Sequence, residues 1–366
     1  MLVGIFHPSL NACGGAEFVA INIMKILKEQ GYSIVVMTDQ EIDRTKINRI
    51  YGIDLIADSR IIFPLALFPP TDFHNIYFDV VRCRLLKNRC DIVIDAYSNE
   101  LLPGADIAYI HFPLLKRLPS NLRNQIYYAP YRIFSKKAKE YASQRARSGS
   151  KIVLANSRYT AKAIEEAKNI TASVLYPPVS SFFFDHPKPF TTPRDNLVVT
   201  VSRISEEKKL ETIPRIAKLT SKKISFQIIG LPTSRRALQA ILASIKKYKV
   251  SDRVKISTNS SREQLREILL GSKVYLHSAV GEHFGISIAE AMASGCTPVV
   301  HDSGGPREFV SKDLRYETSE DAAQKVERAI SEWSPKIAID TTAEVKRFHE
   351  REFSKGFIQI FESPMS

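Results

Sequence analysis

Leu2-Val3-Gly4-Ile5-Phe6, then Asn11-Ala12-Cys13-Gly14-Gly15-Ala16-Glu17 and an apolar-periodic stretch to about Gln30, reads as strand, Gly-rich turn and helix. Gly31 stops the helix, and Tyr32 to Thr38 supplies the next apolar run. Strands that alternate with helices build a parallel sheet covered on both faces. Such sheets take their ligands past the C-terminal strand ends. The Gly14-Gly15 turn either brings backbone N–H groups up to a phosphate or only lets helix and strand pack closely; it carries neither a full dinucleotide fingerprint nor a P-loop.

Further strands are expected at Asp91 to Ala96, Ile107 to His111 and Lys151 to Ala155, while the proline-broken run from Ile61 to Pro70 finds no place. His111 stands at a strand end before Phe112-Pro113, which suits a structural or a catalytic histidine alike. Proline density from Tyr176-Pro177-Pro178-Val179 through Pro187, Pro189 and Pro193 marks a linker. A second alternating series follows: strands at Leu197 to Val201, Ile224 to Ile229, Arg253 to Ile256, Lys273 to His277 and Thr297 to His301, with helices at Leu210 to Thr220, Ser234 to Lys247 and Ser261 to Leu270. The expected architecture is α/β with two Rossmann-like, doubly wound domains facing a cleft, residues 1–180 and 181–340. A C-terminal amphipathic helix within 341–366, Thr342 to Phe361, is expected to cross back onto the first domain.

The chemistry concentrates in Gly281-Glu282-His283-Phe284-Gly285-Ile286-Ser287-Ile288-Ala289-Glu290. With a helix starting near Gly285, Glu290 lies in its first turns and Glu282 in the loop before it, beside N–H groups freed at the helix start. Two carboxylates suit vicinal hydroxyls and free N–H groups suit phosphate, although one exposed and one helix-capping glutamate give the same spacing. After the first strand of the second series comes Ser202-Arg203-Ile204-Ser205-Glu206-Glu207-Lys208-Lys209. There Arg203 and Lys208 either hold an anion or form solvated pairs with the glutamates.

At 366 residues, 44% hydrophobic and 25% charged, the chain has material for two cores. Its start lacks a signal peptide's basic lead and apolar run, and no stretch nears the length of a membrane span, so a cytoplasmic protein is expected. Cys13, Cys83, Cys90 and Cys296 fit no disulfide framework or zinc site and are expected as reduced, mostly buried thiols. The net charge of +13 implies an anionic partner. Much of the excess falls in Leu114 to Ser150, with nine Lys and Arg against Glu140 and with Tyr127, Tyr128, Tyr131, Phe134 and Tyr141 interleaved. That pattern suits an anionic membrane surface, or a solvated helix packing its tyrosines on its own domain. No nucleic-acid-binding motif accompanies it, so nucleic acid is not expected as a partner.

Taken together, Gly14-Gly15-Ala16-Glu17, Tyr109-Ile110-His111-Phe112-Pro113, Arg203 with Lys208, Glu282 to Glu290 and Ser303-Gly304-Gly305 resemble the retaining family 4 glycosyltransferases of GT-B fold, over nearly the whole chain. Within that family, Glu-His-Phe-Gly-Ile and Tyr-Ile-His-Phe-Pro look most like GDP-mannose-dependent enzymes that extend lipid-linked oligosaccharides. The resemblance implies a nucleotide-sugar donor, a hexose (mannose from GDP-mannose) and a lipid-linked or membrane-associated glycan acceptor. A UDP-sugar enzyme with a soluble acceptor is the alternative. It implies catalytic roles for His111, Arg203, Lys208 and Glu282. Donor binding would fall to Gly14, Gly15, Arg203, Lys208, Glu282, His283, Phe284, Gly285, Ile286 and Glu290. In place of an Asp-x-Asp metal site, Arg203 and Lys208 would neutralise the departing diphosphate, so no metal or other cofactor is expected. Retention would arise by same-face attack, the acceptor hydroxyl passing its proton to the leaving phosphate. Three positions depart from the family, Ser202, Lys209 and His283 standing where glycines are usual; the first two imply a differently shaped phosphate loop, and His283 implies a sugar contact or only a subgroup marker.

Overall fold

The computed structural model describes residues 1–54, 57–63, 72–113, 151–185, 190–258 and 260–363, with positions 133, 136, 137, 140 and 144. The chain divides into two units, Met1–Pro177 with Phe353–Ser366, and Pro178–Glu352. Most of the basic segment 114–150, and residues 64–70 of the proline-broken run, lie outside the described residues.

The first unit carries seven strands: β1 (Leu2–Phe6), β2 (Ser33–Thr38), β3 (Ser59–Ile62), β4 (Ile92–Asp95), β5 (Ile107–Ile110), β6 (Ile152–Ala155) and β7 (Ser173–Val174). They lie in the order β3-β2-β1-β4-β5-β6-β7, every pairing parallel. β1 is flanked on both edges, Phe6 aligning with Met37 and with Asp95. Val3, Ile5 and Phe6 are wholly buried, which is why the run is continuously apolar. Helix Gly15–Glu29 follows, and Glu17 reaches back to accept the Gly14 N–H at 2.6 Å. It closes at Gly31, whose φ of +80° is left-handed: Gly31 N–H donates to Lys28 and Tyr32 N–H to Leu27, each at 3.0 Å. This is the Schellman arrangement that a glycine at this position favours.

The second unit carries β8 (Asp195–Val201), β9 (Ser225–Ile229), β10 (Val254–Ser257), β11 (Ser272–His277), β12 (Thr297–His301) and β13 (Arg315–Tyr316). Their order is β10-β9-β8-β11-β12-β13, again all parallel. Both sheets therefore reverse winding between their first and fourth strands, β1 with β4 and β8 with β11, as a doubly wound Rossmann-like fold does. Val198, Phe226, Ile228, Leu276 and Val299 bury one sheet face against helix Ser319–Glu332, which contributes Ala322, Val326 and Ile330.

Several expectations need correction. The helix expected from Leu210 to Thr220 begins as a 3-10 turn, Leu210–Thr212, before helix Ile213–Leu219, because Pro214 at the helix start has no N–H to give. The run after Pro178, read as linker, belongs to the second unit: helix Ser181–Phe184 buries Phe183. There too, buried Arg194 donates to the carbonyls of Ser272 at 2.8 Å and Ser294 at 2.7 Å. The single helix expected from Thr342 to Phe361 is two, Pro335–Val345 and Glu350–Glu362, separated by the 3-10 turn Lys346–Phe348. Phe348 is drawn into the second unit's interior against Phe284 and Phe309, and extended His349 bridges to Val179. In the first unit, Phe361 of the last helix packs edge-on against Tyr32 at 5.2 Å. Helices Arg44–Tyr51, Arg158–Lys168 and Ser319–Glu332 went unread in the sequence, though each has an N-cap side chain, Asp43, Ser157 or Thr318, accepting the expected N–H. Among the described residues no helix is long and apolar enough to cross a membrane, and all four cysteines are free thiols.

Candidate functional site

The turns that leave β8 and β11, neighbours at the reversal point of the second sheet, bring Lys208 onto Glu282. Lys208 Nζ lies 2.6 Å from Glu282 Oε2, both side chains largely buried. His277, the last residue of β11, places Nε2 3.1 Å from the same oxygen. The other oxygen accepts the His283 N–H at 3.2 Å. Burial opposes ionisation of Glu282, but Lys208 and His277 outweigh it and hold the carboxyl well below the usual carboxylate range.

Two glycines fix this loop in space. Gly281 N–H donates to Ser303 Oγ at 2.7 Å, and Gly305 N–H donates to the Glu282 carbonyl at 2.8 Å. A Cβ on Gly304 would stand 2.1 Å from the Glu282 carbonyl oxygen, and one on Gly305 2.0 Å from that of His283. Only glycines let the 303–305 turn lie this close under the Glu282 loop. Gly285, left-handed at φ +94°, opens helix Ile286–Ala293. The N–H groups of Gly285, Ile286 and Ser287 donate to no acceptor among the described residues, so they are available to an anion. The Phe284 ring is buried, 5.0 Å from Phe348 and 5.3 Å from Phe309, and anchors the loop, which leaves its main chain for the expected role beside a ligand.

Arg203 is half exposed, and among the described residues it makes a long pairing with Glu207, 3.8 Å. Lys208 is held from behind by Ser278 Oγ, which donates to its carbonyl at 2.8 Å. Lys209 adopts the left-handed conformation itself, φ +53°, a strain of about 1–2 kcal/mol for a side-chain-bearing residue. The backbone at Ser202 runs close beneath Gly230, where a Cβ would stand 1.7 Å from the Ser202 carbonyl oxygen.

Burial chiefly pushes the Tyr275 phenol above its usual range, and the Glu290 and Glu282 charges each add to that rise. Tyr275 donates to the Val201 carbonyl at 2.9 Å and lies 2.8 Å from Ser287 Oγ, tying β11 to β8 and to the helix start. Burial pushes the Glu290 carboxyl up to about 7, and the Arg262 guanidinium opposes that rise. Arg262, stacked 4.3 Å over the Phe182 ring, was not singled out in the sequence, and neither was His277.

Gly14, Gly15 and His111 belong to the first unit. Gly15 and Ala16 N–H groups donate to no acceptor among the described residues, while Gly14 N–H is taken by Glu17. His111 is 9% exposed. Its N–H donates to Asn99 Oδ1 at 2.8 Å, as does that of Phe112 at 3.1 Å, and its ring Nε2 lies 3.2 Å from the Ala96 carbonyl, where it can only donate. Asn99, left-handed at φ +58°, thus positions His111, a role no local pattern announced. His7, just past β1, is wholly buried with neither ring nitrogen bonded among the described residues; burial and His111 push it down to about 3, so it is neutral. Among the described residues, no three His, Cys, Asp or Glu side chains cluster as a metal site.

Two parallel-sheet units wound in this order, with a cation and a carboxylate meeting at the reversal point of the second, have the GT-B fold seen in solved glycosyltransferases. More particularly, residues 182–342 match the model of Glycosyl transferases group 1. The GDP-Man:Man(3)GlcNAc(2)-PP-Dol alpha-1,2-mannosyltransferase of Candida albicans is 23% identical over 84% of this chain, which spans 61% of that relative's length. The Homo sapiens enzyme of the same name is 24% identical, with 99% of this chain and 87% of the relative covered. In structure the chain is similar to Anabaena HepE in complex with UDP and glucose: TM-score 0.73, 16% identity and 99% of both chains covered.

Proposed function

We propose that the protein transfers mannose from GDP-mannose to a lipid-linked glycan acceptor, with retention of configuration and without a metal. The observation that carries the reading is the Lys208–Glu282 pair at the exits of β8 and β11, which sets a diphosphate-binding cation beside a hydroxyl-binding carboxylate. Mannose and the lipid-linked acceptor rest on the activity that the names of the relatives give. As the sugar–phosphate bond breaks, charge grows on the leaving diphosphate, and Lys208, Arg203 and the N–H groups of Gly285 and Ile286 are the donors that meet it. Glu282, ionised and held by its neighbours, takes a sugar hydroxyl; Glu290 takes the ribose hydroxyls. Roles for His111, Gly14 and Gly15 at the sugar and phosphates are supported by the family resemblance. An acceptor anchored in a bilayer also gives the basic segment 114–150 an anionic surface to meet.

A thermal-shift titration with GDP, UDP, ADP and their sugar conjugates, with and without EDTA, tests the reading. A ligand present at about a hundred times its Kd adds roughly 2.7 kcal/mol to stability. A chelator-insensitive shift selective for GDP and GDP-mannose is expected. Selectivity for UDP overturns the mannose assignment, and a shift abolished by EDTA overturns the metal-free mechanism.

A further inference from the structure

We infer that His277 is a positioning residue for sugar transfer: it keeps the Glu282 carboxylate in place when Lys208 leaves it for the donor's diphosphate. The inference deepens the proposed function and rests on it. Lys208 and Glu282 satisfy each other at 2.6 Å, yet the reading assigns one to the diphosphate and the other to the sugar. Donor binding therefore turns the Lys208 ammonium away from Glu282 Oε2, and that oxygen needs a second donor to stay ordered and charged. His277 Nε2 is already there, 3.1 Å away.

The surroundings give His277 little freedom to do anything else. Its side chain is 3% exposed. The ring stacks on Tyr275, whose hydroxyl is itself pinned to Val201 and Ser287, with an interplanar angle of 15° and centroids 6.3 Å apart. Its own carbonyl accepts the Tyr316 hydroxyl at 3.0 Å, fixing the strand end. Nδ1 is buried and has no hydrogen-bond partner among the described residues. A buried N–H without an acceptor is costly, and a bare Nε2 lone pair facing a carboxylate is repelled. The tautomer that fits is neutral imidazole with its proton on Nε2, donated to Glu282. Unlike Lys208, this donor has no ligand group to leave for.

The test compares His277→Gln, which can still donate from its amide, with His277→Phe, which fills the space and donates nothing. With the donor turned over best by the wild-type chain, Phe should lower kcat about tenfold or more, and Gln should keep most of it. The KM for the nucleotide sugar and the Kd for the free nucleoside diphosphate should change less than about threefold in either. The acidic limb of the kcat profile should move to higher pH in Phe only, because Glu282 loses a donor that favours its ionised form. In the ligand-free wild-type chain, nitrogen NMR of the histidine ring should report the Nε2–H tautomer. Equal kcat in both variants, parallel losses of nucleotide affinity and Tm in both, or an Nδ1–H tautomer would each overturn the inference. A preference for some other nucleotide sugar overturns the mannose reading instead and leaves this comparison intact.

Discussion

Nucleotide-sugar affinity should fall as the solution is acidified, and Glu290 should be the reason. Its carboxyl is pushed up to about 7 by burial, so near neutrality half of the free protein carries it protonated. Ribose hydroxyls donate to a carboxylate, and binding through Glu290 therefore selects the ionised form and expels a proton. At pH 6 only about a tenth of the free protein has the competent form, so apparent affinity falls about tenfold, or about 1.4 kcal/mol, and again by about as much for the next unit. GDP-mannose is the ligand of choice, because its esterified diphosphate has no ionisation of its own in this range. Calorimetric titration from pH 5.5 to 8.5, in buffers of different ionisation enthalpy, should show nearly one proton released per ligand at pH 6 and almost none at pH 8.5. Glu290→Gln should bind weakly and flatly across the range. Arg262→Gln, lacking the cation that opposes the rise, should shift the midpoint upward. A wild-type affinity independent of pH, or the same slope in Glu290→Gln, refutes the assignment. Without ligand the sign is the usual one for a carboxyl raised in the folded state. Its contribution to stability is fully present below about pH 4.5 and is lost as pH rises through about 7.

Lys209→Gly should stabilise the fold by about 0.5–1 kcal/mol in denaturant titrations, since glycine adopts the left-handed turn without the steric cost but loses more entropy on folding. Gly305→Ala places a Cβ 2.0 Å from the His283 carbonyl oxygen. The Glu282 loop must shift, so nucleotide-sugar binding should be lost while the far-UV circular dichroism stays unchanged. Replacing both Lys136 and Lys137, exposed on helical backbone, by Glu should weaken sedimentation with anionic vesicles about fivefold or more, given about 1 kcal/mol per basic residue near such a surface. Equal sedimentation removes that segment from the membrane.

The parallel sheets were legible because a strand buried on both faces must be apolar throughout, as Val198 and Val199 or Ile5 and Phe6 are. The Glu282 to Glu290 spacing was legible because one helix start sets both positions. What could not be read is the company each residue keeps across the sheet. Lys208 and Glu282 are 74 positions apart, and nothing in either segment names the other. His277 looked like the end of an apolar run, and its importance comes from lying on the same strand exit as Glu282. Phe348 sits in what reads as an unbroken amphipathic stretch, and only its burial against Phe284 and Phe309 turns the chain there. The unit boundary at Pro177 was visible as a pair of prolines, but Arg194, inside the supposed linker, is bound to the second unit by carbonyls some 75 to 100 positions further on.

The support beneath Glu282 also imposes an order on how the site comes into being during synthesis. Glu282 reaches its final place only once Gly304 and Gly305 have passed beneath it, and Phe284 only once Phe348 has packed against its ring. A nascent chain that has left the ribosome as far as helix Ile286–Ala293 holds both glutamates but not the floor that aims them. The Glu282 loop is completed by residues synthesised after it in its unit, Phe348 among the last, so a truncated product would carry the motif without the geometry.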